Sequence, residues 1–255
     1  MGDLERVGKL LALALWTLVL VALGILFGGC TSTSSISRFY FLKVNLANFA
    51  ELKVNGNITL FLAGVLIPPT KRIQNTAELK SNLPAFYTVG LLGYCQGHKH
   101  TSSFANCSDP YIRFSFDLLS VLHFASDGHD NVVPNDDSKA LRGYRNFACW
   151  FILVYCIGAG ATILTMIFGI GSIVFSWKIK LISFISAFLS SISLIVASTS
   201  VTAVYFLVCF AIQTTLQPVG IHASLGGLFV AAWSAVGLSV AGSLTWMIAI
   251  CCCCI

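Results

Sequence analysis

The chain has 255 residues, 56% of them hydrophobic and only 10% charged, where soluble domains carry roughly 25% charged residues. Most of its 15 Lys/Arg and 10 Asp/Glu fall within residues 31–146, with both signs interspersed. The formal charge of +5 therefore builds no basic cluster or stacking platform, which excludes nucleic-acid binding and makes lipid the expected solvent for the rest.

Residues 1–9 form a short N-terminal segment carrying Arg6 and Lys9. An apolar run follows over 10–29. A hydrocarbon core about 30 Å thick needs about 20 apolar residues in a helix, and this run suffices. A cleaved signal peptide shares the basic flank and the apolar stretch, but this run is long and no A-x-A site follows. A retained first transmembrane helix is the expectation. Gly28-Gly29-Cys30 resembles a lipoprotein site only faintly.

Residues 30–146 are long and polar enough for a small domain. The aromatic and β-branched stretches 39–46 and 58–62 read as strands, with Asn55-Gly56-Asn57 as the turn between them. Residues 125–139, with Asp127-Gly128 and Pro134-Asn135-Asp136-Asp137, read as loop or disorder. Cys95 and Cys107 are the cysteines well inside this segment. On the translocated side they are expected to pair as a disulfide, with two free thiols as the alternative. His98 and His100 lie between them. A Cys2His2 set is chemically able to hold zinc, but the spacing is not that of a zinc finger and the compartment oxidises thiols, so no metal is expected. Asn57-Ile58-Thr59 is a glycosylation acceptor. Asn106-Cys107-Ser108 matches the same pattern, but there the disulfide competes and no glycan is expected.

Three further apolar runs cover 147–176, 181–212 and 225–250, and none contains Asp, Glu, Lys, Arg or His. In lipid the backbone must satisfy its own polar groups, so helices follow. Residues 177–180 carry Lys178 and Lys180, whereas 213–224 carry no Lys or Arg. The positive-inside rule, counted over short loops, then places 1–9, 177–180 and 251–255 in the cytoplasm and 30–146 and 213–224 outside. The expected fold is an all-α membrane bundle of four transmembrane helices, with a small β-rich, disulfide-stapled extracellular domain between helices one and two.

The helices are rich in glycine, serine and threonine, residues that let helix backbones approach and bond across interfaces. They lack the intramembrane ionisable groups or interrupted helices that pores and carriers use, which argues against autonomous ion transport. Cys251, Cys252, Cys253 and Cys254 follow the fourth run, where S-palmitoylation occurs; a run of small apolar residues finishing the helix is the alternative. No nucleophile–base pair, phosphate loop or metal-ligand helix is apparent, so neither catalysis nor a cofactor is expected.

Gly90-Leu91-Leu92-Gly93-Tyr94-Cys95 with Cys107 downstream resembles the Gly-Leu-Trp…Cys…Cys signature of claudin-like tetraspan proteins. The wider stretches 86–97, 107–110 and 114–117, with Phe41-Leu42-Lys43-Val44 after the first helix, resemble the fungal branch that holds the eisosome membrane proteins and PalI, the pH-response membrane protein. The family motif residues here are Gly90, Leu91, Gly93, Tyr94, Cys95 and Cys107. Leu92 stands where the signature has tryptophan, and the chain stops at Ile255 where members often carry a hydrophilic tail. The resemblance implies a non-catalytic plasma-membrane protein that organises cortical membrane domains, with effects on wall integrity and endocytosis. Its implied partners are membrane lipids and, laterally, further copies or other cortical membrane proteins. A related fungal family of mating-induced proteins shares the pattern Gly-φ-φ-Gly-x-Cys…Cys and promotes calcium influx and membrane fusion. PalI members assist ambient-pH signalling. Both remain alternatives.

Overall fold

The computed structural model describes residues 2–31, 39–46, 60–62, 65–67, 84–97, 104–112, 114, 135–172, 177–216 and 221–251. Helix α1 is Gly2–Gly28, and strands β1 (Leu42–Asn45), β2 (Leu60–Leu62), β3 (Val65–Ile67), β4 (Phe86–Val89), β5 (Tyr94–Gly97) and β6 (Phe104–Cys107) follow it. Helices α2 (Asn135–Gly171) and α3 (Trp177–Leu216), strand β7 (His222–Leu225) and helix α4 (Leu228–Cys251) complete the order. Four of these stretches are long and apolar enough to cross a membrane: Val7–Gly28, Asn146–Gly171, Ile179–Thr214 and Leu228–Ile248. The chain is a multi-pass membrane protein.

Two compact units divide it. One comprises Met1–Phe27, Phe151–Thr202 and Leu228–Ile255; the other comprises Gly28–Trp150 and Ala203–Gly227.

The first unit is a helix bundle whose outer faces are apolar and exposed, as at Leu18, Ile163, Phe188 and Ile248. In lipid such faces cost nothing, so association rests on close packing and hydroxyl bonds. Between α2 and α3 the hydroxyls form a ladder. Tyr155 and Ser198 are 2.9 Å apart, Thr162 and Ser190 2.7 Å, and Thr165 donates to Ser186 at 3.1 Å. Ser186 and Ser190 also donate to the α2 carbonyls of Ala161 and Gly158. Ser191 and Ser243 join α3 to α4 at 2.9 Å. Two tryptophans complete the interior. Trp16 lies against Gly242, where a Cβ would come 2.9 Å from its indole nitrogen, and Trp246 lies against Gly169. Both indoles are buried, and neither N–H has a partner among the described residues. Ring-on-backbone packing therefore outweighs hydrogen bonding at these two positions.

The second unit is built on a five-stranded antiparallel sheet of order β6-β5-β4-β1-β7. Three expectations need correction. Strand β1 does not form a hairpin with residues 58–62. It pairs with β4 on one side, Leu42 opposite Val89, and with β7 on the other, Leu42 opposite Leu225. With both edges of β1 occupied, β2 pairs with its neighbour β3 in a separate two-stranded sheet. Residues 125–139 are not all loop, because α2 begins at Asn135. Asn135-Asp136-Asp137 is polar for a reason other than looping: Asn and Asp favour a helix N-terminus, where free N–H groups and the positive end of the dipole lie. The segment 213–224, expected as plain loop, supplies β7. Its outer side is closed in part by Gln213, whose amide donates to the Ala223 carbonyl at 2.9 Å.

Candidate interaction domain on the stapled sheet

The family motif forms the β4–β5 hairpin. Leu91 and Leu92 are its tip, closed by the Gly90 N–H bonding the Gly93 carbonyl at 2.8 Å. Leu91 is buried. Both glycines are required by close approach. A Cβ at Gly90 would collide with the Gly29 carbonyl oxygen, and one at Gly93 would sit 2.7 Å from Ser108 Oγ and 3.4 Å from the Cys30 carbonyl. The hairpin tip is thus seated on residues 29–30, the chain immediately beyond α1. Tyr205 of α3 fixes the other side. Its hydroxyl donates to the Gly90 carbonyl at 3.2 Å, and its ring stacks on Phe41 with centroids 5.2 Å apart.

Cys95 and Cys107 face each other across β5 and β6 and are joined by a disulfide with Cα atoms 4.0 Å apart. The ladder explains why the two can meet. The Ser108 N–H bonds the Tyr94 carbonyl at 2.9 Å, which makes that pair the hydrogen-bonded one. The adjacent Cys95–Cys107 pair is then the narrow, non-hydrogen-bonded kind, where side chains lie closest. Tyr94 locks the same corner: its N–H donates to Ser108 Oγ at 3.0 Å, and its ring stacks on Phe114.

A third cysteine joins this core. Cys30 is fully buried and clusters with Cys95 and Phe104, with Tyr40, Phe86 and Cys107 packed around them. Its backbone is left-handed, with φ 57°, a region that non-glycine residues enter only when held there. The thiol lies 3.6 Å from the Phe39 carbonyl and 3.8 Å from Thr88 Oγ1, and Thr88 itself donates to the Cys95 carbonyl at 3.4 Å. Burial pushes the Cys30 thiol up to about 11, while the Thr88 hydroxyl pulls the other way. Nucleophilic cysteine chemistry runs through the thiolate, so this thiol is unreactive. On the same sheet Lys43 Nζ sits 4.2 Å above the Phe86 ring, and Gly97 leaves room for that ring, which a Cβ would strike.

The structure therefore brings Gly90, Leu91, Gly93, Tyr94, Cys95 and Cys107 into one corner. Asn57, His98, His100 and Cys252–Cys254 lie outside the described residues, and Cys251 is the last residue of α4. No group of three or more His, Cys, Asp or Glu that could hold a metal occurs among the described residues. Sequence reasoning missed Cys30, Thr88 and Tyr205 as members of this corner. Two of them carried a signal: Tyr205 is a phenol in an apolar helix, and Cys30 directly follows a glycine pair at a helix end.

No curated protein matches the chain. A family model, described as the SUR7/PalI family, matches residues 8–245. That match runs from the first apolar helix through the stapled sheet and into the fourth, and the chain belongs to the SUR7/PalI family.

Proposed function

We propose that this protein is a non-catalytic organiser of cortical domains in the plasma membrane, of the eisosome type, acting on wall integrity and endocytosis by lateral association. Both termini face the cytoplasm and the stapled sheet faces outward. The observation that carries the reading is the membership over residues 8–245. The structure is in keeping with it: one unit is a bundle joined by hydroxyls rather than charges, and the other carries a sheet whose corner is fixed by a disulfide and by two glycine seats. Such a molecule holds a shape and offers surfaces. The partners are membrane lipids and, laterally, further copies or other cortical membrane proteins. Cys251–Cys254 take thioester-linked acyl chains that sort the protein into domains, since four helices already anchor it.

Imaging a fluorescently tagged protein in vegetative cells tests the reading. Stable, immobile cortical patches are expected. Absence from resting cells with induction at mating tips would replace it with the calcium-influx and fusion role, which the Gly90…Cys107 pattern also fits. Loss of ambient-pH response on deletion, without any change in patches, would favour the pH-signalling role. For the tail, acyl-exchange labelling is expected to fall in a variant with all four cysteines replaced by serine; equal labelling would remove the acylation.

A further inference from the structure

Among the described residues outside the helices, the exposed large hydrophobic side chains are Tyr111, Ile112 and Leu225. The first two are adjacent, with 60% and 64% of their surface open. Their exposure does not reflect a loose segment. The stretch after the disulfide is tied at three points: Ser108 N–H to the Tyr94 carbonyl, Tyr111 N–H to the Leu92 carbonyl at 2.9 Å, and the Phe114 ring against Tyr94. The Phe114 N–H also returns to the Tyr111 carbonyl at 3.1 Å, so Tyr111 and Ile112 sit on the outside of a closed turn. A folded segment that holds an aromatic and a β-branched side chain outward in contiguous positions is holding them toward something.

The level of this turn identifies the occupant. Leu92, which Tyr111 bonds, is the hairpin tip seated on Gly29 and Cys30, one and two residues past the apolar helix that ends at Gly28. Gly90, on the same tip, is bonded by Tyr205, and the neighbouring residues Phe206, Leu207 and Phe210 of α3 are about 60% exposed, as a lipid-immersed face is. The turn is thus at the height where a membrane helix leaves the hydrocarbon, which is where tyrosine concentrates because its ring is apolar and its hydroxyl polar. We propose that Tyr111 and Ile112 form a membrane-surface foot of the sheet, entering the boundary between headgroups and acyl chains of the bilayer that the protein's own helices span. Asp109 and Pro110, both exposed just before them, remain at headgroup height. The foot braces the sheet against the bilayer on the side of β6. It requires only that the helices be inserted, and does not depend on the cortical-domain reading.

Site-specific photocrosslinking in phosphatidylcholine nanodiscs tests this with the full chain. p-Benzoyl-phenylalanine is placed in turn at Tyr111, Ile112 and Ala105. Ala105 is an equally outward position on β6 but three residues farther from the tip than Ser108. An intact Cys95–Cys107 linkage by non-reducing mass spectrometry verifies folding in each variant, and an uncrosslinked sample of the same variant gives the background. Phosphatidylcholine adducts at 111 and 112, several-fold above those at 105, are the expected result. Adducts to a second copy of the chain instead of lipid would overturn the proposal and make this an interface between copies. Equal lipid adducts at all three positions, or none at any, would overturn it as well.

Discussion

Cys30 shows how one side chain can be both strained and inert. Its left-handed backbone and its full burial are held by the hairpin glycines on one side and by the Thr88 hydroxyl on the other. The thiol is expected to resist maleimide in the folded protein at neutral pH and to react on denaturation, read by mass spectrometry. The pH sign follows from the raised value. Below pH 9 folded and unfolded states both carry the protonated thiol. Between about 9 and 11 the unfolded state loses its proton first, so stability falls across that window. A shift of that size corresponds to about 3 kcal/mol. The fall is expected to shrink in Cys30→Ala, measured as the alkaline midpoint of sheet unfolding; the part contributed by Tyr87, whose phenol burial also raises, remains. At Gly90 the added methyl of alanine meets backbone rather than a movable side chain. Gly90→Ala is therefore expected to cost on the order of 1–3 kcal/mol, visible as poor surface delivery. Tyr205→Phe leaves the buried Gly90 carbonyl without the phenol's bond and is expected to cost about 1 kcal/mol, read from the same unfolding midpoint.

Among the elements, the β5–β6 pair is the one whose stability is concentrated in a single bond. The disulfide closes a separation of 12 residues, for which the chain-entropy picture gives about 3 kcal/mol. Cys95→Ser and Cys107→Ser are each expected to impair delivery to the surface, and the double variant is expected to be no worse than either, because the two residues act as one unit. Surface biotinylation of the three variants measures this, and additive losses would contradict it. The staple was legible because two cysteines at short separation, translocated, have one obvious partner each. The pairing of β1 was not legible. The aromatic and β-branched stretch 39–46 announced a strand, but nothing in its alternation says which strands flank it. A plausible turn at Asn55-Gly56-Asn57 pointed to the nearest neighbour in sequence, whereas the true neighbours are β4 and the distant β7. Strand β7 itself, His222-Ala223-Ser224-Leu225, is short and mixed, and its propensity is too weak to be read without the edge it completes.

For the whole molecule, the four spans were readable because hydropathy in lipid is nearly a one-variable problem. The start of α2 was not, since Asn135-Asp136-Asp137 is equally at home in a turn and at a helix N-terminus. Nor was the inner corner, because Cys30, Thr88 and Tyr205 are far apart in the chain and are united only by the sheet. The orientation is argued from Lys178 and Lys180 in the short segment and from Arg6 and Lys9 at the N-terminus. It predicts that Asn57 acquires a glycan, whereas an acceptor inserted beside Lys178 stays bare. A glycosidase-sensitive mass shift measures both, and the reverse pattern would invert the topology.

The position of β7 has a consequence in time. Ribosomes release the chain from its N-terminus, so β1, β4, β5 and β6 emerge together with the segment that follows α1. The strand that closes the other edge of β1 emerges only after α2 and α3 have been made. Until then β1, an interior strand of the finished sheet, is an edge strand, with N–H and C=O groups open to any extended chain nearby. Completion of the sheet therefore reports that the third helix has been threaded in the correct direction, because only then does β7 arrive on the side where β1 waits. A chain mis-inserted at α3 would keep that open edge, and with it a persistent signal for chaperone capture before export.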